Sequence, residues 1–195
     1  MSAESKQDRV ARWQKRVEEA PDSAAAHYNL GLAHTERGRM MAAEKAYRRA
    51  VELDPGLVQA WVNLGGALLM KWDFQGSLEA NQEAVRRNDD LVEAHYNMGQ
   101  AYLYLKNAEQ LVRCNRRVLE LEENHPAAHY FLAVGLLATD QVEEARAECS
   151  RAASLGYQPR AEFLKSLDRA EKALVQNDTT SASPEAEADG DAKEE

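Results

Sequence analysis

The stretch AAAHYNLGLAHTERG, residues 24–38, is followed by three related stretches further along the chain. These begin at residues 58, 92 and 126 and read VQAWVNLGGALLMKW, VEAHYNMGQAYLYLK and PAAHYFLAVGLLATD. The four stretches align without a gap, so the same kinds of residue return every 34 residues. A fixed period that holds over four copies indicates a protein built from repeated structural units.

Each 34-residue unit is expected to form two helices joined by a short turn. Small and apolar residues recur at three- and four-residue spacing in both halves, which is typical of helices with one buried face. Gly38 separates the halves of the first unit, where glycine permits the left-handed conformation that ends a helix. The small residue at the eighth position, Gly31 in the first unit, predicts a close approach to the second helix, opposite Ala43 there or Ala145 in the fourth unit. Because one unit cannot bury its apolar face alone, the units are expected to stack into a solenoid.

The pattern resembles the tetratricopeptide repeat. In the first unit the resemblance is carried by His27, Leu30, Gly31, His34, Ala43, Tyr47, Ala50 and Pro55, and the second unit opens on Trp61 and Leu64-Gly65. It implies an all-α fold, a right-handed α-solenoid of about four 34-residue helix-turn-helix repeats with flanking capping helices. Asn81 and Asn115 depart from the pattern, since an aromatic residue is usual at their position.

The rest of the chain divides around this array. The four repeats are expected at residues 24–57, 58–91, 92–125 and 126–159, after an N-terminal capping helix within residues 1–23. Residues 160–175 predict a C-terminal capping helix with Phe163, Leu164, Leu167 and Leu174 facing inward. Residues 176–195 contain no apolar residue larger than alanine, so a disordered acidic tail is expected there.

Composition excludes several classes of function. The 195 residues include 33 acidic and 24 basic side chains, a net charge of −9 that argues against binding to nucleic acid or to anionic membranes. No apolar window is long enough to span a bilayer, and the first residues lack the apolar core of a secretory signal. The two cysteines match no zinc or disulfide pattern, so we expect a cytoplasmic protein.

The resemblance also implies that one face of each first helix lines a concave groove. Asn29, Asn63 and Asn97 occupy the sixth position of three successive repeats on this face. A side-chain amide can pair with the C=O and N–H groups of an extended backbone, so these residues predict a ladder that binds a peptide. The alternative is that they are tolerated surface residues that form hydrogen bonds within their own repeat.

Aromatic side chains flank this ladder. Tyr28, Tyr96 and Tyr130 share the fifth position and are expected to form an exposed stripe, which suits an interface because tyrosine combines contact area with a polar group. Phe131, Gln100 and Tyr104 complete the predicted peptide-binding set, whereas Leu32, Leu103 and Val134 are expected to pack between repeats.

The predicted groove positions hold two charged residues, Glu36 and Glu93, and no lysine or arginine. Relatives that bind the acidic C-terminus of chaperones use a clamp of basic residues, so we expect no clamp of this kind for a terminal carboxylate. The expected partner is an extended protein or peptide segment that is partly apolar and neutral or basic.

No motif predicts an enzyme, a cofactor or a metal site. His27, His95 and His129 lie at the fourth position, where an aromatic core residue is usual, so packed imidazoles are expected. His125 and His129 have the spacing of a metal-binding pair, but Pro126 is expected at the first helical position, which leaves His125 outside the helix. Cys149 is expected on the buried face of its helix and Cys114 one position off it, and both are interpreted as inert thiols.

We therefore hypothesise a non-enzymatic protein–protein interaction module that serves as an adaptor or a chaperone-like assembly factor. One alternative is a structural scaffold that forms homo-oligomers by stacking of the solenoid ends. Arginines on the second helices are interpreted as a solvated face, with a second partner site or RNA as the alternative. A third hypothesis is autoinhibition, because the segment from Lys6 to Arg16 is opposite in charge to the acidic tail.

Overall fold

The computed structural model describes the backbone of residues 6–181 and the side chains of residues 8–176. In this part of the chain all regular structure is helical, in the order α1 (Lys6–Glu19), α2 (Ala24–Thr35), α3 (Met40–Leu53), α4 (Val58–Met70), α5 (Phe74–Arg87), α6 (Val92–Tyr104), α7 (Ala108–Leu121), α8 (Pro126–Ala138), α9 (Val142–Ser154) and α10 (Ala161–Ser181). Helices α2 to α9 form four pairs whose first helices begin at the residues that the 34-residue period predicts.

The helices pack in chain order, each against the next, from α1 through to α10. Direct contacts also join α4 with α6 and α6 with α8, so the first helices of neighbouring repeats approach one another. The four pairs therefore stack into an α-solenoid, and we infer that the closely spaced first helices form its concave side. None of the helices described between residues 6 and 181 is long and apolar enough to cross a membrane.

The turn inside each repeat uses one left-handed residue. Gly38 has the predicted positive φ of 67°, and Trp72, Lys106 and Asp140 adopt φ values of 65°, 57° and 61° at the same position of the later repeats. In each turn the following N–H donates to a carbonyl five residues earlier, as Asp73 N does to Leu68 O at 3.0 Å. The three later turns thus keep this geometry although their left-handed residue is not glycine. The left-handed conformation costs about 1–2 kcal/mol at each of these three residues.

Glycine at the eighth position allows close helix packing, but the predicted partner on the second helix is wrong. A Cβ atom on Gly31 would overlap the ring of Tyr47, and one on Gly65 would lie 2.6 Å from Asn81 Cγ. The close contact is therefore with the residue one helical turn after Ala43, which is itself buried in the same core. The same register places Cys149, and not Ala145, opposite the eighth position of the fourth repeat.

The aromatic residue at the fourth position links each repeat to the loop before it. Trp61 Nε1 donates to Pro55 O at 3.0 Å. His27, His95 and His129 place Nε2 within 2.8–2.9 Å of the carbonyl six residues earlier. His95 and His129 are buried and His27 is half-buried. These three histidines are structural, as their position in the repeat predicts.

Both ends of the array are covered. Val10 of α1 is buried, and Leu167 of α10 is fully buried in the last core cluster, where Phe163 and Leu164 also pack. Leu174 is 40% exposed, so the prediction that it faces inward is wrong. Arg146 of α9 holds α10 in place through its hydrogen bond to Glu171, at 2.5 Å.

Helix α10 continues to Ser181. The first residues of the segment expected to be a disordered tail, 176–195, are therefore helical, because the helix does not stop where its packed face ends. Residues 182–195, most of the expected acidic tail, lie outside the described residues. The autoinhibition hypothesis depends on these residues and stays a prediction.

Candidate functional site

The inner face of the first helices carries the predicted asparagine ladder, and each amide is fixed through its Nδ2 group. Asn29 donates to Ala25 O at 2.7 Å, one turn earlier on its own helix. Asn63 donates to Gln59 O at 3.0 Å and to Tyr28 Oη of the preceding repeat at 3.2 Å. Within the described part of the chain, the Oδ1 atoms of both residues accept no hydrogen bond.

Asn97 is held differently, by the neighbouring repeat. Its Nδ2 donates to Oδ1 of Asn81 at 3.3 Å, and Asn81 is fully buried, with its own Nδ2 donating to Ser77 O at 2.8 Å. Hydrogen bonds within the fold therefore orient all three ladder residues. Their carbonyl oxygens are the groups that remain for a ligand, and all three side chains are partly exposed.

The predicted tyrosine stripe is only partly formed. Tyr28 and Tyr96 are half-buried. Burial raises the pKa of Tyr28, the hydrogen bond from Asn63 opposes this, and nearby Glu93 adds to the rise, so its phenol stays protonated. Burial likewise raises the pKa of Tyr96. Both tyrosines therefore offer a neutral hydroxyl beside the ladder.

Tyr130 is an exception, and the expectation that it is exposed in the groove is wrong. Its side chain is only 4% exposed, because its ring stacks on Tyr157, with centroids 4.7 Å apart, and meets the edge of Phe163 at 5.3 Å. Tyr157, in the loop after α9, and Phe163 of α10 therefore cover a position that the earlier repeats leave more open.

Phe131 and Gln100 lie where the repeat predicts them, and both are half-buried. The Phe131 ring connects Tyr96, at 6.0 Å between centroids, with Tyr130, at 5.4 Å. Gln100 follows Asn97 by one helical turn on the same face of α6. The fourth repeat thus has an aromatic ring at the sixth position, where the first three have an amide.

Tyr104 belongs to an exposed aromatic cluster that the sequence analysis missed. Its ring stacks on Phe74, with centroids 4.5 Å apart and planes within 4°. Trp72 meets the edge of Tyr104 at 5.4 Å. Trp72 is 69% exposed, and Met70, two residues earlier in the chain, is 67% exposed. The signal in the sequence was Trp72, in the turn between α4 and α5, followed by Phe74 at the start of α5.

The charges around the groove differ from those predicted in one respect. Glu36 pairs with Arg9 of α1, whereas Glu93 is exposed at the start of α6. Lys106, in the turn between α6 and α7, lines a small pocket together with the groove residues Leu103 and Val134. This basic residue at the edge of the groove lies in a turn, outside the helical positions on which the predicted charge of the groove rests.

Leu32 packs against the core of the first two repeats, as predicted. Leu103 and Val134 are instead half-buried around the small pocket, so they do not close the space between the third and fourth repeats.

The second helices carry arginines that are engaged in ion pairs. Arg48 pairs with Glu44 at 2.8 Å. Arg116 pairs with Glu144 of the next repeat at 2.9 Å. Such exposed pairs are typical of a solvated helix face.

Within the described part of the chain, chemically reactive or metal-binding side chains do not form a cluster. His125 caps α8 by accepting from Ala128 N through Nδ1 at 3.1 Å, and Pro126 begins the helix, as predicted. No group of three potential metal ligands occurs among the described residues. Cys114 and Cys149 are free and buried, and burial raises the pKa of Cys114 to about 11. Burial raises the pKa of Cys149 as well, so both thiols stay protonated near neutral pH.

Three solved structures illustrate the similarity of this fold to known proteins. Pseudomonas aeruginosa PilF shares 23% identity over 91% of this chain and 80% of its own, with a TM-score of 0.73. MamA from Desulfovibrio magneticus RS-1 shares 17% identity over 77% of this chain and 85% of its own, with a TM-score of 0.72. YrrB, described as a TPR protein with an unusual peptide-binding site, shares 18% identity over 88% of this chain and 99% of its own, with a TM-score of 0.69. These TM-scores show a common fold.

No curated protein sequence matches this chain. Three family models described as tetratricopeptide repeat match residues 24–57, 41–92 and 92–125. Together they cover just over half of the chain, and the pair α8–α9 continues the same 34-residue register as a fourth repeat. The chain therefore belongs to the tetratricopeptide repeat family, whose repeats form protein–protein interaction modules.

Proposed function

We propose that this protein is a non-enzymatic adaptor or assembly factor that binds an extended peptide segment of a partner in the concave groove of its first helices. The observation that carries the proposal is the repeated amide at Asn29, Asn63 and Asn97. Each Nδ2 group is fixed by a hydrogen bond within the fold, while each Oδ1 remains to accept from a ligand. Preorganised acceptors bind with less loss of conformational entropy than mobile ones.

The amides would act on the backbone of the ligand, since a carbonyl oxygen can accept from any peptide N–H group. This mode of binding requires an extended segment and dictates little of its sequence. Tyr28 and Tyr96 supply half-buried rings with neutral hydroxyls beside the ladder, and Phe131 extends the apolar surface into the fourth repeat. These groups favour a partner segment that is partly apolar.

Electrostatics favour a partner that is neutral or basic overall. Glu93 is an exposed negative charge at the beginning of α6, close enough to Tyr28 to raise the pKa of its phenol. Lys106 alone does not form the cluster of basic residues that a chaperone-tail clamp requires, so we propose no such clamp. We also propose a cytoplasmic location, supported by the two buried cysteines, which remain free thiols.

The test uses peptides selected from a random dodecapeptide display library on the full chain. Binding of a synthesised, selected peptide is measured by calorimetry for the wild type and for the variant Asn29→Ala, Asn63→Ala, Asn97→Ala. A lost hydrogen bond is worth about 1 kcal/mol, so three lost bonds are expected to weaken binding about 100-fold.

The matched control replaces three amides outside the groove: Gln75→Ala, Gln110→Ala, Asn124→Ala. We expect this control to bind like the wild type. Circular dichroism establishes that both variants remain helical. A folded groove variant that binds the peptide with unchanged affinity would refute the proposal.

A second candidate function is a scaffold that self-associates through its ends. It is favoured by the apolar residues that α10 exposes after its packed face, since Leu174 is 40% exposed and Val175 is 64% exposed. Light scattering at high micromolar concentration tests it. A monomer under these conditions would exclude this alternative, whereas oligomers that dissociate in Leu174→Ser, Val175→Ser would support it.

A further inference from the structure

A small apolar pocket lies between the third and fourth repeats. Its volume is about 220 Å³, and its lining includes Leu103, Leu111, Val134, Ala108 and Ala138. Leu103 of α6 and Val134 and Ala138 of α8 lie at groove positions of their repeats, so the pocket opens at the edge of the concave face.

The pocket lies where the three clustered rings of the preceding junction have no aromatic counterpart, since Lys106 stands at the position of Trp72 one repeat earlier. Between the second and third repeats, Phe74 stacks on Tyr104 with centroids 4.5 Å apart. The residues 34 positions later are Ala108 and Ala138, and both line the pocket. The stacked pair is thus replaced by two methyl groups and Trp72 by a lysine, which leaves the space open.

The chain itself thus shows which kind of group fits at this place in the repeat. Two stacked aromatic rings occupy the equivalent positions between the second and third repeats. The pocket is larger than the engineered apolar cavities of about 150 Å³ that bind benzene, so one large side chain can enter it. Burial of such a side chain contributes about 1.5–3 kcal/mol, which makes it a suitable anchor for a weakly sequence-dependent peptide.

A positive charge marks the edge of the pocket. Lys106 lines it from the turn between α6 and α7, where its backbone has a φ of 57°. The side chain is exposed, and no described residue forms an ion pair with it. A carboxylate next to the inserted side chain would therefore have an oppositely charged partner within reach.

We propose that this pocket binds one large apolar side chain, aromatic or aliphatic, of the peptide in the groove, with an acidic residue of the same peptide beside Lys106. The inference rests on the proposed function and adds to it the residue type at one position of the ligand. The local acidic residue is compatible with a segment that is neutral or basic overall, because Glu93 lies at the other end of α6.

The pocket is closed by the double variant Ala108→Phe, Ala138→Tyr, which rebuilds the pair that Phe74 and Tyr104 form one repeat earlier. The matched control is Ala153→Phe, Ala147→Tyr, which adds the same two rings at exposed positions of α9. Random dodecapeptides are selected on the wild-type chain, and selected sequences are expected to share a large apolar residue with an acidic neighbour. The closed variant is expected to bind them at least 10-fold more weakly, and the control within twofold of the wild type.

A measurement on the wild-type protein makes the test independent of how the closed variant folds. The methyl resonances of Leu111 and Val134 are expected to shift on addition of a selected peptide, and not with the same peptide when alanine replaces its apolar residue. Lys106→Gln is expected to weaken binding about threefold, and unchanged binding would remove the acidic residue from the proposal.

The outcomes separate this inference from the proposed function. If the asparagine variant loses binding but the closed variant binds within twofold of the wild type, the pocket inference is overturned and the proposed function stands. If the closed variant alone loses binding, the pocket is supported and the asparagine ladder is refuted. If no peptide is enriched on the wild-type chain, both proposals fail.

Discussion

Gly65 and Gly66 are neighbours in the interior of α4, and a methyl group added at each is expected to change stability in opposite directions. A Cβ atom on Gly65 would lie 2.6 Å from Cγ of Asn81, closer than side-chain atoms pack. A Cβ atom on Gly66 would meet only Asn97 Nδ2, at the ordinary contact distance of 3.7 Å.

The magnitudes follow from the surroundings of Asn81. Alanine gains about 1 kcal/mol over glycine inside a helix, and Gly66→Ala should retain most of this gain. Asn81 is fully buried, so it can move away from a methyl on Gly65 only by losing its hydrogen bonds to Ser77 O, at 2.8 Å, and to Asn97. Overpacking costs about 1–3 kcal/mol and each of the two lost bonds about 1 kcal/mol, so after the helix-propensity gain Gly65→Ala should be destabilised by about 2–4 kcal/mol.

The assay is urea unfolding followed by circular dichroism at 222 nm, with the wild type and both variants compared at one temperature. A difference of about 3–5 kcal/mol between the two variants is expected, because the helix-propensity gain is common to both and only Gly65→Ala incurs the overpacking and the lost bonds. If Gly65→Ala proves as stable as the wild type, or if both variants shift in the same direction by similar amounts, the packing assigned to the eighth position of the repeat is refuted.

Burial, together with Arg39 and Arg37, lowers the pKa of His34 in the folded protein. Below about pH 6.5 the unfolded chain therefore binds more protons than the folded one, and the free energy of unfolding falls as pH decreases. His34→Phe should also stabilise the protein by about 1 kcal/mol at pH 7, because the buried Nδ1 has no described partner. Its advantage in urea midpoint should grow from pH 7 to pH 5, and a constant advantage would contradict this. The thiol of Cys114, with its pKa raised to about 11 by burial, should react with a disulfide reagent at pH 8 over 100-fold more slowly in native protein than in urea, and equal rates would exclude the buried thiol. Tyr157→Ala removes the ring stacked on Tyr130 and should lower stability by about 2 kcal/mol, so an unchanged melting temperature would refute this role.

The architecture was predictable because it depends on a period, and the period is visible in one sequence. Gly38 and Pro126 mark the ends of helices by their own backbone preferences, so both boundaries were found without knowledge of tertiary contacts. The partner of Gly31 was not predictable in the same way. Whether Ala43 or Tyr47 faces a small residue depends on the crossing angle of the helices, which spacing along each helix does not specify.

The candidate site was less predictable because equivalent positions have different neighbours. The tyrosines at the fifth position were expected to form one stripe, yet Tyr130 is buried because α10 and the segment before it cover the last repeat. Phe74 and Tyr104 come from different repeats, and their stacking is visible only when the repeats are placed side by side. The pocket near Ala108 was missed for the same reason. The missing rings can be recognised only when one junction between repeats is compared with the next.

The most direct measurement of the central claim is a nuclear magnetic resonance titration with a selected peptide, observed at the side-chain amide groups of asparagine. Those of Asn29, Asn63 and Asn97 are predicted to shift as the peptide binds. That of Asn115, fully buried with its Nδ2 bonded to Leu111 O at 2.8 Å, is predicted to stay unchanged. Peptide binding that leaves the three groove amides unmoved, or shifts only residues of the second helices, would contradict the account.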